Sequence, residues 1–180
     1  NVVFNTDWIT TYGFVGDANV SVSELDVAET LKMDTSPFMV VWLKNIERLC
    51  QMFERAYDNR DFTLLDVGCG SGISTMFFNQ NYRFKRFCGF DFSPKLIRLA
   101  SRNYDIASKN GFDMSSTAFS VADAKVIKLP NERHAVFMFN PFGWETMKMF
   151  LSNNADMLRD TKSVLLYAND ICIEELLESG

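Results

Sequence analysis

From residue 36 onward the chain alternates short apolar runs with stretches whose apolar residues recur every three or four positions. Ser36-Pro37 reads as a helix start, because Ser36 can cap free N–H groups and Pro37 suits the first helical position. Trp42, Ile46, Leu49, Phe53 and Tyr57 then share one helical face, which predicts a buried stripe up to Asp58-Asn59. Residues 62–67 form an apolar run of strand length, followed at once by glycines and by a helix over 73–79. A second strand, 87–90, ends at Asp91. Ser93-Pro94 opens a helix running through Leu96, Leu99, Ala100 and Ile106 to Asn110-Gly111, a helix-ending pair. Strands follow at 117–121, 135–139 and 163–168, with a helix over about 145–158 and a short last helix from about Ile171.

Short apolar strands joined by helices imply parallel pairing, since each crossover needs a helix to return the chain. The pattern predicts an α/β fold: a three-layer, doubly wound, mostly parallel sheet buried on both faces. Ligands in such sheets bind at the carboxyl ends of the strands, near the switch in strand order. Asp66, Asp91, Asp123 and Asn140 each end a predicted strand. Residues 1–34 show no clean periodicity, with Trp8, Tyr12, Gly13, Phe14 and Gly16 set among acids and Thr. They read as an arm, either a lid or an irregular wrap, in front of one domain spanning 35–180.

Composition narrows the class. With 180 residues, 47% of them apolar, the chain can bury a core without staples. Seventeen Phe exclude a disordered tail. No apolar run approaches the roughly 20 residues of a membrane helix, and Asn1 to Thr10 lack the basic and apolar segments of a secretory signal. The missing initial Met suggests trimming upstream. Cys50, Cys69, Cys88 and Cys172 are at least 19 residues apart, so no CxxC pair offers a zinc or redox site. They read as free thiols in a reducing, cytoplasmic compartment, and no metal is expected. The net charge of −5 argues against generic polyanion binding. Its acids gather at the ends, however: Asp7, Asp17, Glu24, Asp26 and Glu29 in the first 31 residues, and Asp170, Glu174, Glu175 and Glu178 in the last 11. The middle keeps a positive surplus, including Arg83, Lys85 and Arg86. Such a cluster could meet phosphate, and as a solvated face it needs no ligand.

The loop Asp66-Val67-Gly68-Cys69-Gly70-Ser71-Gly72 carries the chemistry. Glycines at alternate positions allow a tight turn and close approach to a ligand, and the helix that follows offers free N–H groups to an anion. A dinucleotide fingerprint would need Gly at position 73, which is Ile.

This acid-x-GxGxG pattern resembles the first motif of the class I, Rossmann-like S-adenosylmethionine-dependent methyltransferases. Later landmarks agree in kind and order: Gly89-Phe90-Asp91-Phe92-Ser93-Pro94, then Val121-Ala122-Asp123-Ala124, then Phe139-Asn140-Pro141-Phe142. The resemblance covers about residues 60–170 and extends to a bacterial subgroup of small methyltransferases with an Asn-Pro-Phe motif. It implies that Asp66, Gly68, Cys69, Gly70, Ser71 and Gly72 hold the methionine part of S-adenosylmethionine. Asp91 would accept the ribose hydroxyls, Phe92 would lie against the adenine, and Asp123 with Ala124 would meet the adenine amino group. Read alone, Asp91 is equally a helix-N-terminal acid and Asp123 a local turn residue.

Asn140, Pro141 and Phe142 resemble the Asn/Asp-Pro-Pro-Tyr/Phe motif of amino-group methyltransferases. There the Asn oxygen and the following carbonyl accept from a target N–H, and an aromatic ring stabilises developing charge. Here a single Pro stands in the motif and Gly143 follows the Phe, and Asn-Pro alone is also a strand-ending turn. The implied product is S-adenosylhomocysteine, and the methyl acceptor stays open, with an amine as one reading. A nicotinamide-type oxidoreductase and a non-catalytic cofactor-binding module are the alternatives. His134, the sole histidine, reads as a surface residue, Tyr12 as either a cover for the cofactor or core, and Met147, Met149 and Met157 as helix core. Only about 12 residues follow Ala168, where this family usually adds a strand hairpin. An exposed edge strand would favour pairing with a second copy.

Overall fold

Five apolar segments pair side by side, all parallel: β1 (Thr63–Val67), β2 (Arg86–Asp91), β3 (Thr117–Val121), β4 (His134–Phe139) and β5 (Val164–Ala168). Their spatial order is β3-β2-β1-β4-β5. The computed structural model describes residues 2–16, 21–169 and 171–178, with backbone only at Thr30 and Leu31. Asp17 and Asp170, counted above among the terminal acids, lie outside the described residues. β1 is central, with Thr63 opposite Arg86 on one side and His134 on the other, and every β1 residue is buried. The chain steps outward from β1 through β2 to β3, then returns across β1 to lay down β4 and β5. The direction of winding therefore switches between β1 and β4, which opens a crevice at their carboxyl ends.

Alternate strand residues face two apolar layers. Leu64, Phe87, Ala135, Phe137 and Leu166 join one core with residues of α1 (Val2–Tyr12), α3 (Leu43–Phe53), α4 (Ile73–Asn81) and the end of α5 (Pro94–Lys109). Leu65, Val67, Phe90, Val136 and Met138 join the other with α6 (Trp144–Asp160). A short α2 (Glu29–Lys32) and α7 (Ile173–Glu178) complete the helices. Phe78 meets Phe137 edge-on, with ring centroids 5.1 Å apart, which locks α4 onto β4.

The N-terminal arm, whose patterning suggested a lid or an irregular wrap, begins with a regular helix. Residues 2–12 form α1, whose apolar side chains fall on several sides and so leave no single stripe to detect. Trp8 packs against Tyr12, Phe14 and Phe77. Tyr12 packs on Phe112, in the core rather than over the crevice. Buried Asn5 bridges to the next element, donating to Val41 O at 2.8 Å and accepting from Leu43 N at 2.9 Å.

The first long helix also starts later than expected. Residues 35–42 are outside any helix, so Ser36 caps nothing and Pro37 lies outside α3. A distant partner claims that backbone: Thr35 bridges Phe142, and Ser36 N donates to Pro141 O at 3.2 Å. The buried face of α3 is Leu43, Ile46, Cys50 and Phe53. Trp42 is half-exposed and Tyr57 lies past the helix end. At α5 local chemistry holds, with Ser93 Oγ accepting from Leu96 N.

Two side chains expected elsewhere also move. His134 is buried rather than on the surface, because it is the first β4 residue of a sheet covered on both faces. Burial pushes its pKa down, against the pull of Glu132 beside it. Met149 is exposed on α6, whereas Met147 is in the core and Met157 packs at its edge. Lys85 and Arg86 sit on the surface, pairing with Glu132. Among the described residues no helix is long and apolar enough to cross a membrane, and no His/Cys/Asp/Glu cluster could hold a metal.

Candidate cofactor and acceptor cleft

The loop after β1 turns on three glycines in the left-handed region, Gly68 (φ 71°), Gly70 (φ 55°) and Gly72 (φ 76°), where side chains with a Cβ are strained. Gly68 N and Cys69 N both donate to Phe90 O, at 2.9 and 3.0 Å, which pins the loop to β2. Space is as demanding as conformation. A Cβ on Gly68 would overlap Pro141, and one on Gly70 would overlap the Phe38 ring. Gly70 and Gly72 thus shape the loop, while Gly68, Cys69 and Ser71 line the crevice. Ser71 Oγ donates to Gly16 O at 2.9 Å, and Asn103 Nδ2 donates to Val15 O and Ser71 O, so the arm is tied to the loop.

The strand-ending acids converge as their positions implied. Asp66 is 2% exposed, and its Oδ2 accepts from Ser74 Oγ at 2.5 Å and Thr75 Oγ1 at 2.6 Å. Burial pushes its carboxyl up to about 6, with those hydroxyls pulling the other way. Asp91 is 5% exposed. Its Oδ2 accepts from Gly70 N at 3.1 Å and its Oδ1 from Ser93 N at 2.9 Å. Burial raises it too, to about 6; the two N–H groups oppose this and the charges of Asp66 and Asp26 add to it. Asp123 Oδ1 accepts from Lys125 N at 2.9 Å. Asp66, Asp91, Phe92, Asp123 and Ala124 all line a cavity of about 330 Å³.

Across the switch, Asn140, Pro141 and Phe142 line the same cavity. Asn140 holds a left-handed backbone (φ 44°). Its Nδ2 leans toward Ser36 Oγ at 3.4 Å, and among the described residues its buried Oδ1 has no hydrogen-bond partner. A buried acceptor left open costs stability unless something else fills it. Gly143, the departure from the resembled motif, has a local cause. Asp34 caps α6 here, its backbone O accepting from Gly143 N at 3.0 Å and its Oδ2 from Thr146 N at 2.7 Å. A Cβ at 143 would overlap the Asp34 carboxylate.

Several lining residues carried no signal in the sequence. Leu25, Ser36, Pro37, Phe38 and Met39 form a strap over the crevice. It is fastened at one end by Asp34 on α6 and at the other by Asp26, which accepts from Ser93 Oγ at 2.7 Å and from Lys95 N at 3.1 Å. Asn169 and Ile171, just beyond β5, complete the wall. The one available clue was Gly143 itself, a glycine where an aromatic motif would continue with a side chain.

Comparison with known proteins adds the family. A model described as a methyltransferase domain matches residues 64–161. No curated protein matches the chain significantly. Among solved structures, Thermoplasma acidophilum 1320 is similar at 17% identity and a TM-score of 0.50, over 75% of this chain and 66% of that one. A Pyrococcus abyssi tRNA (uracil-54, C5)-methyltransferase in complex with S-adenosyl-L-homocysteine is similar at 17% identity and a TM-score of 0.49, over 75% of this chain and 31% of that one. The YcgJ protein from Bacillus subtilis is similar at 19% identity and a TM-score of 0.39, over 51% of this chain and 37% of that one. The matches thus span about a third to two thirds of those chains.

Proposed function

Because the chain belongs to the methyltransferase-domain family, we propose that it transfers a methyl group from S-adenosylmethionine to an acceptor bearing an N–H group. The observation that carries the acceptor half is the open, buried Asn140 Oδ1 beside the glycine loop. It would accept from the target N–H and aim the nitrogen lone pair, which is catalysis by positioning. Of the second acceptor in the resembled motif, the Pro141 carbonyl, one lone pair is already taken by Ser36 N, leaving the other. Phe142, 7% exposed, is a fixed wall anchored in the α6 core.

The cofactor half fits its ligand on structural grounds. An ionised carboxylate offers about four lone-pair sites. Asp91 spends two on Gly70 N and Ser93 N, which leaves two for a pair of ribose hydroxyls. Gly68, Cys69 and Ser71 line the cavity, and the α4 N-terminus suits the carboxylate of the methionine part. Phe92 and Asp123 lie on the β2–β3 side, where an adenine would rest. When bound, S-adenosylmethionine supplies an electrophilic methyl group. Residues 35–180 would form the catalytic unit and 1–34 its cover. The four free thiols fit a reducing, cytoplasmic setting.

Calorimetry with S-adenosylhomocysteine tests the cofactor reading, with NADH as the competing ligand. Heat from the first and none from the second is expected; the reverse would revive the oxidoreductase reading. Asn140→Ala tests the acceptor reading, by methyl transfer from labelled cofactor into lysate fractions. Transfer should fall roughly tenfold to a thousandfold, the loss of one positioned hydrogen bond, with S-adenosylhomocysteine affinity kept within a factor of two. Full transfer per folded molecule would reject the role.

Acid should weaken cofactor binding. The ribose hydroxyls need the ionised Asp91, whose carboxyl burial holds near 6. Affinity for S-adenosylhomocysteine should therefore be about tenfold lower at pH 5 than at pH 7.5, and flat above that. Stability of the free protein should run oppositely. Asp66 and Asp91 both bind their protons more tightly when folded, so their contribution is full below the ordinary value of 3.8 and lost as pH rises through about 6. Parallel titrations of affinity and melting temperature check both signs.

A further inference from the structure

Two asparagines stand side by side at the ends of β4 and β5. Phe139 pairs with Ala168, so the next residue of each strand, Asn140 and Asn169, leaves the sheet at the same level. Both are left-handed, at φ 44° and 54°, and both line the cavity. That conformation is unfavourable for any residue with a Cβ, though Asn tolerates it best. Lys162 shares it (φ 55°), but there it follows the end of α6, where a left-handed residue is ordinary. At two neighbouring strand ends facing one crevice, such strain points to function. Surrounding bonds hold it: Ser36 N to Pro141 O and Gly143 N to Asp34 O beside Asn140, and Ile171 N to Asn169 O, 2.9 Å, beyond Asn169.

We infer that Asn169 works with Asn140 as a pair of carboxamides that binds the methyl acceptor, and that this acceptor is a neutral, flat molecule presenting an N–H edge. The inference rests on reading the cavity as a cofactor and acceptor cleft. Asn140 Oδ1 is open and calls for a donor. Exposed Asn169 adds one donating and one accepting group beside it. The walls around the pair are Phe139, Phe142, Met39 and Ile171. Asp66, Asp91 and Asp123 lie at the carboxyl ends of β1, β2 and β3, while the described lining residues on the β4–β5 side are uncharged. An ammonium placed there would lose its hydration to a described lining that carries no charge, the Asp34 carboxylate beyond Gly143 being already engaged by Thr146 N. It would also lack the lone pair that methyl transfer needs. A neutral nitrogen has that pair: it forms the new N–C bond, the S–C electrons stay on sulfur, and the N–H proton leaves to solvent. The mouth is wet enough for that last step, with Ile171 62% exposed.

Three benzene probes of matched size separate the possibilities: benzamide, benzylamine and benzoate, titrated by ligand-observed NMR with and without S-adenosylhomocysteine. Benzamide should bind at least about tenfold more tightly than the cation or the anion, the discrimination expected of a site built to hydrogen-bond its ligand. Asn169→Gly suits the left-handed backbone, so melting temperature and S-adenosylhomocysteine affinity should hold while benzamide weakens roughly fivefold or more. Asn169→Asp should instead admit benzylamine, through the countercharge it supplies. Unchanged benzamide affinity in Asn169→Gly would overturn the inference, as would equal binding of benzylamine or benzoate to the unaltered protein. If S-adenosylhomocysteine fails to bind but the probes behave as expected, the methyl-donor reading falls and the asparagine pair stands.

Discussion

Gly68→Ala should cost both the fold and the ligand. The left-handed backbone at Gly68 (φ 71°) strains any residue with a Cβ, and the added methyl would overlap the Pro141 ring. Strain of about 1–2 kcal/mol and overpacking of about 1–3 kcal/mol add to a loss of roughly 2–5 kcal/mol in stability. For a chain of this length that is a fall of about 5–15 °C in melting temperature. The methyl group acts on both halves of the cleft at once, because Gly68 shapes the cofactor loop and Pro141 follows Asn140. Binding of S-adenosylhomocysteine should weaken on the order of a hundredfold, or about 2.7 kcal/mol. Pro141→Gly removes the struck atoms, so the double variant should recover the steric part of the loss and keep the strain part. A melting temperature within 2 °C of the parent would show that the loop yields freely, and the close approach would then have no functional weight.

Asp91→Ala should lose more than ribose contacts. From sequence Asp91 reads as a polar residue closing a strand at the sheet rim. In the structure it is 5% exposed and takes the N–H groups of Gly70 and Ser93, so it braces the glycine loop against the start of α5. Alanine would orphan both donors, at about 1–3 kcal/mol of stability for each one left unsatisfied, partly offset by removing a buried carboxylate. Affinity for S-adenosylhomocysteine should fall by about 1.5–3 kcal/mol, roughly 10- to 150-fold, the range for hydrogen bonds to a charged group. Asp91→Asn keeps one accepting oxygen and should melt between the parent and Asp91→Ala, while binding as poorly as Ala. Calorimetry and thermal melts on the same preparations check both. Unchanged affinity in a folded Asp91→Ala protein would remove the ribose assignment.

The strand-end acids were legible because each follows an apolar run that can only be a buried strand, and a polar residue closing such a run marks the sheet rim. Asp66, Asp91, Asp123 and Asn140 meet at one cavity for that reason. The strap was not legible. Ser36-Pro37 has the local chemistry of a helix start, yet its backbone pairs with residues 141 and 142, more than 100 positions away. No local preference of about 1 kcal/mol survives against a set of long-range backbone bonds and the packing of the Phe38 ring over Gly70. His134 shows the same limit, since a lone polar residue between Arg133 and a strand carries no mark of the helix layers that bury it.

By itself, then, the sequence determined what depends on neighbours a few positions apart: five strands, their helices, the left-handed glycine loop and the polar residues at the strand ends. Periodicity and turn chemistry are short-range, and they leave their record in consecutive residues. Only the tertiary structure decided the order β3-β2-β1-β4-β5, the helical arm and the strap clamped by Asp26 and Asp34. It alone decided the need for glycine at 143, and it set Asn169 beside Asn140. Those depend on which distant surfaces meet, and a contact between residues 34 and 146 exists only once the sheet between them has been built.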